Sequence, residues 1–317
     1  MLGHRARLVS CRLMHPAEIP SDPLVSIVTP CLNPGPRLQR CIDSVAEQTY
    51  ARVEHIVIDA GSSDGTVELL QQTGNLTWIS EPDTGQTNAI NKGIRMMHGE
   101  VFSWLNADDV LKPSAAELAV NVFRDSPDVG WVHGDLEYDH GDRLEVVRLP
   151  AEPSLATMAM GNVVAQPGSF VARWALDRVG PLDESLNLAM DFDLWVRLLV
   201  AHIEGRYIAQ TMARFEIRSD TKTGSIERAD FLHEEYRAFA KAGLDAEAAL
   251  TLARSAHARS RTRVLSALGE GRDSEARVAA REALSAIPVF WRTRLYLWLT
   301  RLSPSLARRA LRLVGRL

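Results

Sequence analysis

The chain has 317 residues, 46% of them hydrophobic and 24% charged, an ordinary composition for a globular protein long enough for one large domain and an appendage. Mean hydropathy is −0.10 and no apolar run reaches the roughly 18 residues of a membrane span, so no spanning helix is expected. The net charge of −4 conceals an asymmetry: fourteen arginines face four acids between Arg254 and Leu317, and the acidic remainder argues against nucleic-acid binding.

The first ten residues are basic but lack the apolar core of a signal peptide, and residues 1–22 read as a loose leader. Cys11, Cys31 and Cys41 are too few for a disulfide framework and carry no metal-binding spacing; they read as packed thiols in a reducing cytosol. Leu24 to Thr29 is apolar and β-branched, a buried strand, and Pro36 opens a helix to about Gln48 with Leu38, Cys41, Ile42 and Val45 on its apolar face. Val53 to Asp59 is a second strand, followed by a turn in which Asp64 caps a helix reaching Leu70. A short strand, Leu76 to Ile79, leads through Glu81-Pro-Asp-Thr-Gly85 into a helix from Gln86 to Met97. The apolar run from Val101 then stops at Asn106-Ala-Asp-Asp109.

Four strand–loop–helix units predict a mostly parallel, doubly wound α/β sheet. Asp59 and the 106–109 cluster then share the rim at the strand carboxyl ends, where such sheets bind ligands. Asp108 and Asp109 repel each other. They either hold a hard divalent cation that also meets phosphate oxygens, or form an acidic turn capping the helix from Ser114.

Further on, Val129 to Asp135 is a strand paired antiparallel with Leu144 to Leu149, and Gln166 to Val171 returns to strand character. Arg173 to Val179 is a helix stopped by Gly180 and Pro181. Another helix begins at Asp191, where the acid has an ordinary role as a cap; Asp193 points elsewhere. His133 is expected to be packed and hydrogen-bonded, and Trp195 to pin its helix to the sheet.

Thr29-Pro30-x-x-Asn33, Ile58-Asp59-Ala-Gly-Ser-Ser-Asp-Gly-Thr66, Asn106-Ala-Asp-Asp109 and Met190-Asp-Phe-Asp-Leu-Trp195, in that order, resemble the family 2 glycosyltransferases over about residues 23–223. The resemblance implies a GT-A fold over residues 23–240 and inverting sugar transfer from a nucleoside diphosphate sugar, most often UDP-linked, to an acceptor hydroxyl. It matches Asp59 to the aspartate that receives the base, and Asn106-Ala107-Asp108 to the D-x-D element. The last acid of that element helps hold Mg²⁺ or Mn²⁺, with Asp109 as second choice. It matches Asp191 to the general base, Asp83 and Gln86 to the segment that closes on the nucleotide, and Arg218 and Lys222 to the loop over the diphosphate. For Asp83 and Gln86 helix capping is the alternative; for Arg218 and Lys222 it is a solvent-exposed cation pair. The chain departs from the pattern at Ala60, Asn106 and Met190, where the family usually carries acids. Two other readings stand beside this one: a non-catalytic nucleotide- or sugar-binding module of the same fold, and a nucleotidyltransferase, disfavoured by the single Gly35 among prolines after the first strand.

Residues 241–317 change to an Ala, Leu and Arg composition with helical periodicity, with helices expected over Ala246–Ala267 and Asp273–Ala286 and a further arginine- and aromatic-rich stretch from Val289 to Arg301 continuing over Leu306–Leu317. Two readings fit. The region lies on an anionic membrane surface, which suits a cytoplasmic enzyme with a cell-surface glycan or lipid-linked acceptor; or it packs on the protein's own body or a second subunit.

Overall fold

The computed structural model describes residues 19–158, 161–217, 228–243, 264–286 and 300–313. The run predicted as the first strand forms β1 (Val25–Cys31), buried at every position. Parallel neighbours flank it, β2 (Val53–Asp59) on one side and β4 (Val101–Trp104) on the other, and β3 (Thr77–Ser80) lies parallel outside β2. Parallel pairing needs crossovers, which α1 (Arg37–Ala46), α2 (Thr66–Gln72) and α3 (Gln86–Met96) provide. α3 lies so close to β1 that a Cβ on Gly93 would stand 2.3 Å from Val28 Cγ1, which leaves room for glycine alone.

The second half closes the sheet differently. β5 (Val110–Leu111) and α4 (Ala115–Asp125) follow the acidic turn, then come β6 (Val129–Asp139) and β7 (Leu144–Val147), antiparallel as expected. After α5 (Leu155–Met158), β8 (Phe170–Ala172) runs antiparallel between β4 and β6. β9 (Glu204–Glu216) is reached through α6 (Arg173–Val179) and α7 (Met190–Val200). The nine strands lie in the order β3-β2-β1-β4-β8-β6-β9-β5, with β7 on β6. β8 is shorter than the strand expected from Gln166: Pro167 has no N–H to pair, and Gly168 sits at φ 79°, so Gln166 to Ser169 leave the ladder.

A stack of rings fastens α7 to the sheet. Ring centroids lie 5.8 Å apart for Phe102 and Trp104, 6.1 Å for Trp104 and Trp195, 5.4 Å for Trp195 and Trp131, and 5.5 Å for Trp131 and His133. Trp195, fully buried, is the member from α7, so it pins the helix as expected. His133 is packed, but neither ring nitrogen has a hydrogen-bond partner among the described residues, because Trp131 and Tyr207 enclose the ring. Burial pushes its imidazole down to about 4.

The described end of the leader is not loose: Tyr50 Oη donates to Asp22 Oδ1 at 2.9 Å, and Arg52 and Arg124 each lie 3.4 Å from that carboxylate. At the other end, α8 (Arg228–Lys241) packs on α7, α9 (Asp273–Ala286) on α8, and α10 (Pro304–Leu313) on α9. α9 matches its expected span; most of the helices expected over 246–267 and 289–301 lies outside the described residues. Within α10, Ala307 is buried and Arg308 pairs with Asp273, while Leu306 is 55% exposed. No helix among the described residues is long and apolar enough to cross a membrane.

Candidate active site

A cleft of about 560 Å³ opens at the carboxyl ends of β1 and β4, within the size range of small-molecule sites. The turn after β1 gives it Pro30 and Asn33, and the turn after β4 gives it Asn106, Ala107 and Asp108; Gln86 enters from the start of α3 and Asp191 from the start of α7. Of the residues singled out in the sequence, these seven share one cavity. Thr29, Asp59, Asp83 and Asp109 do not line it, and Arg218 and Lys222 lie outside the described residues.

Asn106 ties the donor-side loops together. Its Oδ1 accepts from Gln86 Nε2 at 2.7 Å, and its Nδ2 donates to Asp109 Oδ2 at 3.0 Å and to Gln166 Oε1 at 3.2 Å. An aspartate here would repel Asp109 and could not donate to Gln166, which gives the unusual Asn a local reason. Asn33, in the left-handed region at φ 48°, braces the turn after β1 against the turn after β2: its N–H donates to Ser62 Oγ at 2.7 Å and its Oδ1 accepts from the Ser63 N–H at 2.8 Å. Thr29 lies in the core, 2.8 Å from His55 Nε2. Asp83 accepts from the N–H of Gly85, the N-cap of α3, at 2.8 Å, a bond within the turn ahead of the helix. Asp64 is not the N-cap expected of it: Gly65 holds that position, and Asp64, one residue ahead, accepts from Thr66 N and Oγ1.

Asp59 differs from the residues that line the cleft. It stands at the end of β2 on the expected rim, opposite Cys31, but is wholly buried. Its carboxylate accepts from the Gly61 and Ser62 N–H groups at 3.2 and 3.0 Å, from Ser80 Oγ at 2.6 Å and from Ser62 Oγ. With the Cys31 thiol 3.7 Å from Oδ1, these donors satisfy the carboxylate from within the protein. Burial opposes the charge, but the hydrogen bonds outweigh it and hold the carboxyl below its ordinary range. A lowered folded pKa means stability that is present above the unfolded value near 3.9 and is lost as pH falls through the folded one. Asp59→Ala should therefore cost about 2–4 kcal/mol at neutral pH by stranding those donors, and the gap from wild type should narrow on acidification. Urea unfolding of both proteins at neutral and acid pH checks this.

Asp108 is half-buried on the cleft wall, and its neighbour turns inward. Asp109 is 1% exposed with Oδ1 unpartnered among the described residues; burial and the charge of Asp108 push its carboxyl well above its ordinary range. Neither acid caps α4, whose N-cap Ser114 also makes no side-chain capping bond. Among the described residues no group of three or more His, Cys, Asp or Glu is arranged to hold a metal. Mg²⁺ at nucleotide sites is commonly held by one or two carboxylates together with substrate phosphates and water, so one carboxylate on the wall fits an ion that arrives with a nucleotide. Asp109 lies behind the wall, bound to Asn106.

Asp191 sits in the first turn of α7, where Ala189 is the N-cap; it is thus not the cap residue. Its Oδ2 accepts from Asn162 Nδ2 at 2.7 Å. Asp193 points away, into an ion pair with Arg197 at 2.8 Å. The same cavity is walled by Tyr138, Phe215, Phe231, Glu235 and Arg37, none of them evident in the sequence. Phe231 and Glu235 stand one turn apart on α8 and so share a helix face, a spacing legible only once α8 is known to meet the cleft.

The model of glycosyl transferase family 2 matches residues 26–188, just over half of the chain. The chain belongs to glycosyl transferase family 2. The match runs from β1 to the loop ahead of α7 and ends short of Asp191. Similar proteins include an uncharacterized glycosyltransferase of Rickettsia typhi, 31% identical over a 193-residue alignment that covers 56% of this chain and 59% of that protein. One of Mycobacterium tuberculosis is 34% identical over 182 residues, 56% of this chain and 69% of that one. This family 2 chain therefore spans less than two thirds of the Rickettsia protein. Among solved structures, S. aureus TarS 1–349 in complex with UDP-GlcNAc is similar with a TM-score of 0.62 and 16% identity, over 90% of this chain and 89% of that one. The mannosyltransferase PcManGT from Pyrobaculum calidifontis, in complex with GDP-Man and Mn²⁺, follows with 0.56 and 17%, over 93% and 88%. At such identities the likeness is one of fold, and that fold is GT-A, as the motif order implies.

Proposed function

We propose that this family 2 chain transfers a sugar from a UDP-linked donor to a hydroxyl of a cell-surface glycan or lipid-linked oligosaccharide, inverting the anomeric carbon. The observation that carries the reading is one cavity holding both Asp108, from the parallel half of the sheet, and Asp191, from α7. Two proteins of the same fold, caught with UDP-GlcNAc and with GDP-Man and Mn²⁺, support the donor class.

In this reading the acceptor oxygen attacks the anomeric carbon from the face opposite the diphosphate. The bond from that carbon to the leaving phosphate oxygen breaks and its electron pair stays with the diphosphate. Asp191 takes the hydroxyl proton, with Asn162 holding its carboxylate in place. Mg²⁺ or Mn²⁺, held by Asp108 and the diphosphate oxygens, would supply positive charge to the leaving group. Arg37 on the same wall adds a cation for the phosphates; Arg218 and Lys222, matched through the family resemblance to the loop over the diphosphate, are proposed for the same task. Asp59 acts beneath the base, holding the Gly61–Ser62 turn against which Asn33 rests. Leu302 and Leu306 are exposed, as are Arg301 and Arg309, a combination of side chains suited to an anionic lipid surface and so to a lipid-linked acceptor.

The test is diphosphonucleoside release from UDP-glucose, UDP-galactose, UDP-N-acetylglucosamine and GDP-mannose, each with Mg²⁺ or Mn²⁺. Metal-dependent UDP release from at least one UDP-sugar is expected. Nucleotide binding without turnover of any donor would favour a binding module, and pyrophosphate release from a nucleoside triphosphate would favour a nucleotidyltransferase.

A further inference from the structure

The helix that carries Asp191 starts without a cap of its own: Ala189 at the N-cap has no oxygen to offer. A carboxylate from elsewhere meets the N–H groups just ahead of the first turn. Glu234, on α8, accepts from Asn187 N at 2.9 and 3.1 Å, from Leu188 N at 2.7 Å and from Ala189 N at 3.0 Å. Three consecutive backbone donors converge on one charged group, and charge-assisted bonds of this kind are roughly twice as strong as neutral ones. The residues so held are on the cleft wall, two to four positions before Asp191.

The same loop is gripped from the other side by α3, the helix whose first residue, Gln86, lines the cleft. Thr87 Oγ1 donates to Leu186 O at 2.5 Å, and Asn91 exchanges hydrogen bonds with the backbone of Leu182 at 2.8 and 3.0 Å. On α8, Arg237 reaches Ser185 and Lys241 pairs with Asp183. The loop thus enters α7 with its direction fixed at both flanks, and Glu234 is the contact nearest the acid.

We infer that Glu234 is a positioning residue for Asp191, setting the direction from which α7 presents that carboxylate to the cleft. The inference rests on the reading of Asp191 as the base. It concerns a residue well beyond the 26–188 family match, on a helix whose sequence gives no sign of meeting the site. A misplacement of about 1 Å at a reacting group can cost on the order of 10²-fold in rate. Glu234→Ala should accordingly lower kcat by about that factor with the donor KM unchanged. Glu234→Gln, which keeps one acceptor oxygen, should recover part of the loss.

The experiment measures UDP release from UDP-glucose, UDP-galactose and UDP-N-acetylglucosamine with Mn²⁺, on the full chain. It compares Glu234→Ala, Glu234→Gln, Asp191→Asn and the Glu234→Ala/Asp191→Asn double variant. If Glu234 acts through Asp191, the Glu234 change costs little more once Asp191 is gone; a merely structural role gives the same fractional loss in both backgrounds and overturns the proposal. Unchanged kcat in Glu234→Ala beside an inactive Asp191→Asn also overturns it, whereas full activity of Asp191→Asn instead removes the base reading. Amide hydrogen exchange gives a readout independent of turnover: faster exchange over residues 185–195 in Glu234→Ala and Glu234→Gln, with α8 peptides unaltered, is expected, and unchanged protection in that segment contradicts the inference.

Discussion

Asp191→Asn is expected to lower sugar transfer by about 10²–10⁴-fold while UDP binding stays at the wild-type level. The substitution keeps shape and volume. An amide oxygen can still accept the hydrogen bond that Asn162 Nδ2 gives to Asp191 Oδ2, and α7 remains pinned through Trp195 between Trp104 and Trp131. What disappears is the ability to take a proton from the attacking hydroxyl. Steady-state UDP release and calorimetric UDP titration separate the two effects: lost turnover with retained binding supports the base, and unchanged turnover rejects it.

Asp108→Ala should act on the other half of the reaction. Asp108 is the one member of the acidic pair on the cleft wall, and its loss removes the group assigned to hold the cation against the leaving diphosphate. A loss of about 10²–10³-fold in kcat is expected, the size seen when one preorganised electrostatic contact to a developing charge is deleted. Mn²⁺ should also cease to strengthen UDP binding in calorimetry. Asp109→Asn is the informative contrast: that side chain is buried and turned toward Asn106, so metal dependence should persist. Equal loss of metal dependence in both variants would mean that the two acids act as a pair.

The parallel half of the molecule was legible because its strands are short apolar runs bounded by prolines, glycines and acids, and the elements β1, α1, β2, α2, β3, α3 and β4 fall within a few residues of their expected positions. The four motifs marked the family for a similar local reason: each lies at or near an element end, the last of them, Met190 to Trp195, opening α7, where a few residues fix the backbone. Side-chain direction was less visible. Nothing in Val53–Asp59 tells whether its last carboxylate faces a ligand or is satisfied inward, because Ser80, one of its partners, comes from another strand. The ring stack from Phe102 to Tyr207 and the clamp from Glu234 likewise depend on contacts between residues far apart in the chain, which no periodicity records. Gln166 is a milder case. Its flanking residues suggested a strand, but Pro167 and the left-handed Gly168 turn it into the cleft, where it donates to Trp104 O at 2.7 Å.

The central claim, that one cleft brings a nucleotide's diphosphate and an acceptor hydroxyl between Asp108 and Asp191, is tested most directly by a crystal structure of the protein grown with UDP and Mn²⁺. The account predicts the diphosphate and ion in the 560 Å³ cleft, with the ion touching the Asp108 carboxylate and Asp191 facing the open space beyond the β-phosphate. UDP bound on another surface, or bound here with Asp191 turned away from that space, would contradict it.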